Sequence, residues 1–511
     1  MHTVGPLKVP RDTISDLISQ ASGEAVAITA PGRVPLSYQG LREQSLGTIE
    51  SLNGLGVGRG DAVAVVLPNG PAMASSFVSI AAAATTAPLN PNYRRQEYES
   101  YLKDLDTKLL VVEEGSDSPA LPAAHRLGIQ IAYLTEGHAA GTFSLVGDPV
   151  RKQALQPGAA RAEDVSLVLH TSGTTSRPKI VPLTHRNVCA SAEHIRVSLG
   201  LTTDDLCLNI MPLFHIHGLM AAVLSSLAAE ATICCTPGFD ALKFFTWMKE
   251  ERPTWYTAVP TMHQAILGRG RRNLETIADV PLRFIRSSSA SLPPQVMTQL
   301  EETFRAPVIE AYGMTEASHQ MASNPLSPLA RKPGTVGLAA GPEVSVMDEK
   351  DTLLTPGSIG EVVIRGPNVT SGYQNNPDAN ASSFVSGWFR TGDQGVIDSE
   401  GYLRLTGRLK EIINRGGEKI SPREVDEVLM DHPSVAQVVT FSIPHPKLGE
   451  DVAAAIVLND VEVSPEDIRQ YARTHLADFK VPRKVVFLEE IPKGPTGKLQ
   501  RIGLAERLNL I

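Results

Sequence analysis

His170–Lys179 reads His-Thr-Ser-Gly-Thr-Thr-Ser-Arg-Pro-Lys. Small hydroxyl residues and a glycine follow the apolar run Ser166–His170, and a lysine closes the stretch. The pattern predicts a buried strand running into a loop, with a helix N-cap at Thr184 further on. Glycine lets such a loop turn backbone N–H groups toward an anion, and Thr and Ser hydroxyls add donors without bulk. Lys179 adds charge. The chemistry suits a polyphosphate, although the stretch is not the Walker A pattern, which occurs nowhere in the chain.

Outward from this loop, the first three hundred residues alternate strand-like and helix-like segments. Ala62–Leu67, Lys108–Glu113 and Ser166–His170 read as buried strands with helical sequence between them. The alternation predicts an α/β fold with largely parallel sheet. After about Pro333 the texture changes. Gly360–Arg365 alternates polar and apolar residues, as in a small β subdomain.

The last stretch reads as a separate α+β domain of roughly a hundred residues. Ser421-Pro-Arg-Glu424 has the form of a capping box with proline at the first helical position. Val435–Ile443 and Lys484–Leu488 read as strands, and Ser464-Pro465-Glu466 opens a second helix. The division falls at 1–407 and 408–511, with Leu405–Glu411 as a candidate hinge.

The chain has 511 residues, a formal net charge of −8 and 42% hydrophobic residues. That is enough for more than one core, and it offers no electrostatic reason to bind nucleic acid or anionic lipid. The four cysteines form no Cys-x-x-Cys pair and read as buried small hydrophobes in a reducing compartment. No secretory signal or membrane-length apolar run is visible. The C-terminus is not a Ser-Lys-Leu address, so the cytoplasm is expected. A monomer or weak homo-oligomer is expected.

Further motifs follow the loop in order. They are Pro212–His217 (PLFHIH), Tyr312-Gly-Met-Thr-Glu316, Trp388-Phe-Arg-Thr-Gly-Asp393, Gly407-Arg-Leu-Lys410, Asn414-Arg-Gly-Gly-Glu-Lys419 and Pro495-Thr-Gly-Lys498. Together with the loop, they resemble the adenylate-forming enzymes, which include acyl-CoA synthetases, luciferases and peptide-synthetase adenylation domains. The resemblance covers nearly the whole chain. It implies a large N-terminal domain of α/β subdomains plus a small β subdomain, with a mobile α+β C-terminal domain.

The resemblance also implies roles. Thr171, Ser172, Gly173, Thr174, Thr175 and Lys179 would hold ATP phosphates. Ser289, Ala290, Glu310, Ala311, Tyr312 and Gly313 would frame the nucleotide, with the Tyr312 ring on the adenine. Thr315 and Glu316 would serve catalysis, with the Glu316 carboxylate on Mg2+; a hard cation prefers oxygen. Asp393 would accept from the ribose hydroxyls, and Arg408 would supply a second ribose or phosphate contact. Lys498 would stabilise charge developing during adenylation. Lys410 would be the hinge. His215 would line and screen the acyl pocket.

The implied reaction joins a carboxylic acid to CoA through an acyl-adenylate, at the expense of ATP. Near the expected acyl pocket the chain is polar, with His215, His217, His263, Ser288, Ser289, Ser291, Ser318 and His319. Such donors could hold a second carboxylate. Trp255–Gln264, Ile285–Leu292 and Glu310–Asn324 look like the corresponding strings of plant and fungal oxalate–CoA ligases. Oxalate is therefore the favoured acid, with Ser289 and His319 as its contacts and His215 and His217 beside them. A short or medium fatty acid, or a 4-coumarate-type acid, is the alternative. A catalytically silent nucleotide-binding protein would be expected to lose Lys498 or Glu316, and both are present. A luciferase-type oxygenase or a carrier-loading adenylation domain would share the adenylation residues.

Overall fold

The computed structural model describes residues 11–147, 153–171, 178–459, 463–494 and 499–511. Ser172, Gly173, Thr174, Thr175 and Lys498 lie outside the described residues.

Two large sheets form the N-terminal part. In the seven-stranded sheet, Ala62–Val66 lies between Thr85–Pro88 and Thr107–Glu113, parallel to both. Its near-continuous run of Val and Ala follows from that placement, because both faces are covered. Val165–Thr171 joins the sheet parallel to Thr85–Pro88. The nine-stranded sheet carries Trp255–Ala258, Phe284–Ser288 and Val308–Met314 side by side and parallel, with His319–Ser323 antiparallel at the end of that series. One large core runs across both sheets, from Val63 and Leu109 to Leu219, Phe284 and Met321. The expected α/β class is the observed one.

The sequence expectation between Thr171 and Thr184 is corrected in one respect. Lys179–Thr184 is a strand, paired antiparallel with Val165–Thr171. The helix follows as expected, with Thr184 capping His185–Ser198 through a capping box with Asn187.

From Glu343 to Arg408 the chain forms a five-stranded antiparallel sheet. Its final strand, Leu403–Arg408, keeps Arg408 opposite Asp393, one residue past the expected division. The C-terminal unit is built on the long hairpin of Val435–His445 with Gly449–Leu458. Helices Pro422–Met430 and Pro465–His475 cover it, burying Val425, Leu429 and Ile468 against Val438 and Ile456. Ser464 makes its capping box with Asp467. Ser421 makes none. Its hydroxyl donates to the Thr406 carbonyl instead, a competing acceptor that ties the helix start to the strand before the junction. No helix among the described residues is long and apolar enough to cross a membrane.

Candidate active site

Two clusters meet at the ends of the strands that carry the predicted motifs. The first gathers groups from five parts of the chain. The Tyr312 hydroxyl donates to Asp393 Oδ2 at 2.5 Å. Arg408 Nε stands 3.6 Å from Asp393 Oδ1. Burial, then the neighbouring Asp393 carboxylate, pushes the Tyr312 phenol upward, so it remains a donor. Glu316 is 6% exposed and accepts from the Tyr373 hydroxyl at 2.8 Å. Lys179 Nζ lies 4.2 Å from the centre of the Tyr373 ring. Burial pushes the Glu316 carboxyl upward, opposed by the Tyr373 hydrogen bond and by Arg408 and Lys179. Burial also lowers the Lys179 ammonium. Glu316 and Lys179 are thus partly starved of solvent and lean on each other.

Tyr373 was not found by reading the sequence. It sits far from Glu316 in the chain, and nothing local marks it. The nearest signal is the turn Thr370-Ser-Gly372, whose Thr370 hydroxyl donates to the Pro182 carbonyl and whose backbone N–H donates to that of Glu316.

Glu310 behaves differently from its neighbours in the motif. Its carboxylate Oε1 accepts from the Leu292 backbone N–H at 3.0 Å, and burial raises its pKa to about 7. The side chain is committed to holding the turn after Phe284–Ser288. Ala311 offers its carbonyl to the Ser288 hydroxyl. Ala290 is exposed at that turn. Gly313 lies where the hairpin register shifts, and a β-carbon built there would stand 1.8 Å from the His319 carbonyl oxygen. Only glycine permits that approach.

The second cluster is formed by the predicted acid residues and three others. His217 opens a wide, π-type helix, His217–Leu224, and is fully buried. Its Nδ1 lies 3.0 Å from Ser289 Oγ and its Nε2 lies 2.6 Å from Thr257 Oγ1. Both ring nitrogens are thereby engaged by hydroxyls. His319 stacks on the His217 ring with centroids 5.0 Å apart. His215 is half-buried, and its Nδ1 accepts from the His217 backbone N–H at 3.3 Å. Ser289 and His319 both sit at positive φ, 74° and 93°, a region these residues occupy at a cost. His263 is fully buried, and its Nδ1 meets the Tyr256 hydroxyl at 3.1 Å. Burial lowers it to about 3.

Arg286, Thr257 and Gln320 complete the cluster and were missed. Arg286 is fully buried. Its Nη1 lies 3.4 Å from both Thr257 Oγ1 and His217 Nε2, and its Nη2 donates to Gln320 Oε1 at 3.2 Å. No carboxylate pairs with it among the described residues. The available signal was an arginine within the strand sequence Phe284–Ser288, all of which is buried, where charge is rarely tolerated unpaired.

Residues 18–374 match the AMP-binding enzyme family, and residues 424–498 match the AMP-binding enzyme C-terminal domain. The chain belongs to the AMP-binding enzyme family. Its relatives in that family include the oxalate–CoA ligase of Arabidopsis thaliana, 44% identical and covering 96% of this chain and 97% of the relative. The oxalate–CoA ligase of Saccharomyces cerevisiae is 42% identical, covering 88% of this chain and 87% of that one. The fold resembles ATP-bound MatB from Rhodopseudomonas palustris, with a TM-score of 0.88 at 28% identity over 98% of this chain and 99% of that one. It also resembles o-succinylbenzoate CoA synthetase from Bacillus subtilis in complex with ATP and magnesium ion. There the TM-score is 0.81 at 26% identity, over 96% of this chain and 99% of that one.

The residues present fit a magnesium ion only in company with nucleotide phosphates. No group of three or more His, Cys, Asp or Glu side chains converges among the described residues. A single carboxylate can suffice for a phosphate-bound Mg2+, and Glu316, which burial makes harder to ionise, would serve once the cation and phosphates are present.

Proposed function

We propose that this chain, an ATP-dependent, AMP-forming carboxylate–CoA ligase, takes oxalate as its acid. The observation that carries the reading is the acid-side cluster. Hydroxyl and imidazole groups from His217, Ser289 and His319 stand where a fatty acid would need an apolar tunnel. The names of the two oxalate–CoA ligases above support it.

In this reading one oxalate carboxylate attacks the α-phosphorus of ATP and pyrophosphate leaves. The CoA thiolate then attacks the acyl carbon and AMP leaves. A carboxylate is already a nucleophile, so the first step needs no base. Asp393, oriented by Tyr312, receives the ribose hydroxyls, and Lys179 meets the phosphates. Glu316 would hold Mg2+, which supplies charge neutralisation between the phosphates. Lys498 would stabilise the charge that develops on the reacting oxygens. Most of the rate gain comes from positioning and charge stabilisation.

Lys410 is the pivot on which that unit turns between the two steps. It lies in the exposed turn Leu409–Glu411. Immediately beyond it, Glu411 is held to the C-terminal unit by Arg501, which donates to Glu411 Oε2 at 2.7 Å and also pairs with Asp426. Lys410→Pro is expected to impair one half-reaction more than the other. Equal losses in pyrophosphate release and in thioester formation from supplied acyl-adenylate would end the pivot reading.

The direct test is pyrophosphate release with ATP and Mg2+, with and without CoA, across oxalate, malonate, acetate, octanoate and 4-coumarate. Preference for oxalate with CoA-dependent turnover is expected. Preference for octanoate or coumarate would overturn the choice of acid.

A further inference from the structure

Arg286 has no evident structural reason to be charged. It is fully buried, no carboxylate pairs with it among the described residues, and its Nε finds no hydrogen-bond partner there. Burial lowers its pKa only to about 9, so it stays cationic at neutral pH. A buried cation of this kind is costly unless something completes it.

Its neighbours show what the charge does. A guanidinium can only donate. Arg286 Nη2 donates to Gln320 Oε1, and Gln320 is itself fixed, with Nε2 donating to Ser198 Oγ and to the Ala340 carbonyl. On the other side, Nη1 reaches Thr257 Oγ1 and His217 Nε2. A donor facing Thr257 Oγ1 turns the threonine hydrogen toward His217 Nε2, only 2.6 Å away. Nε2 must then accept. Neutral His217 consequently carries its proton on Nδ1, and Nδ1–H donates to Ser289 Oγ. The reverse direction would point an Nε2–H at the guanidinium 3.4 Å away, two donors facing each other in one dry site. The chain of hydrogen bonds therefore runs one way, and the Ser289 hydrogen is left to point onward. Ser289 is half-buried at positive φ, at the edge of the cluster.

We propose that Arg286 is the specificity-determining positioning residue of the acid pocket. Its fixed charge directs the relay Thr257–His217–Ser289 so that the Ser289 hydroxyl donates to the distal carboxylate of a two-carboxylate acid, whose charge complements the guanidinium. The proposal rests on the oxalate reading for its substrate, and on the geometry alone for the direction of the relay.

The experiment compares wild type, Arg286→Met and Arg286→Lys with oxalate and with oxamate, which has the same shape but an amide in place of one carboxylate. Wild type is expected to prefer oxalate. In Arg286→Met, kcat/KM for oxalate should fall about 100-fold and the preference should collapse, while KM for ATP stays within about twofold. The melting temperature should not fall, because an unpaired buried charge has been removed. Arg286→Lys should keep part of the preference. An unchanged oxalate-to-oxamate ratio in the Met variant would overturn the specificity role. Histidine 15N chemical shifts of the ligand-free protein decide the relay separately. An Nδ1–H tautomer at His217 in wild type, shifted in Arg286→Met, is expected. An Nε2–H tautomer in wild type overturns the proposal even if oxalate is a substrate. If no two-carboxylate acid is activated, the substrate reading fails and the tautomer result still stands on its own.

Discussion

The two clusters, proposed above to receive the nucleotide and the acid, handle charge in opposite ways. On the nucleotide side, Asp393, Arg408, Lys179 and Glu316 offset one another through Tyr312 and Tyr373. On the acid side, a single cation, Arg286, is surrounded by neutral hydroxyl, amide and imidazole groups. A mixed cluster accepts a ligand that carries phosphate and metal together, by exchanging partners. A lone buried cation has nothing to exchange and awaits an anion. The two halves should therefore respond to substitution in separable ways.

The largest separation is expected from Glu316→Gln. It removes the buried carboxylate that would face Mg2+, and pyrophosphate release should fall on the order of 1,000-fold with little change in KM for the acid. A matching rise in acid KM would break the division between the halves. Asp393→Asn comes next. It removes the charge from the contacts with Tyr312 and Arg408 and replaces one acceptor oxygen by an NH2 donor, so KM for ATP should rise roughly 10–100-fold while oxalate-to-oxamate preference is retained. Ser289→Ala should act in the other half, raising KM for the acid about tenfold with ATP unaffected.

The smallest effect sharpens the comparison through a buried carboxylate, the counterpart of Arg286. Glu310 has a folded-state pKa of about 7 against an ordinary 4.5. The raised value means that its contribution to stability is complete below the ordinary value and is lost as pH rises through about 7. Glutamine keeps the acceptor for the Leu292 N–H and cannot ionise. Relative to wild type, Glu310→Gln should therefore gain about 2 kcal/mol in urea unfolding between about pH 5.5 and about pH 8. A constant difference across that range would contradict it.

Much of this was legible in the sequence where the signal is local. Thr184 and Ser464 announce their helices because a cap is read from residues three apart. The Tyr312–Glu316 and Gly392–Asp393 motifs stand out by their distinctive order, and folding brings Tyr312 to Asp393. The missed features depend on distance. Tyr373 reaches Glu316 only after folding, and Lys179–Thr184 becomes a strand by pairing with a neighbour. Ser421 has the form of a capping box, but the Thr406 carbonyl is the acceptor that folding brings to it. Nothing local in the string Ile285–Leu292 marks Arg286, because neither Thr257 nor Gln320 stands beside it in the chain.

The contact at Gly313 has a consequence for anyone who would redesign this cleft. Tyr312, which steers Asp393, and His319, which stacks on His217, belong to one hairpin, and their spacing depends on a backbone approach that admits no side chain. The two halves are chemically separable but mechanically joined. Changes of acid preference are therefore best sought on the Phe284–Ser288 strand and the turn after it, leaving the hairpin as a shared chassis.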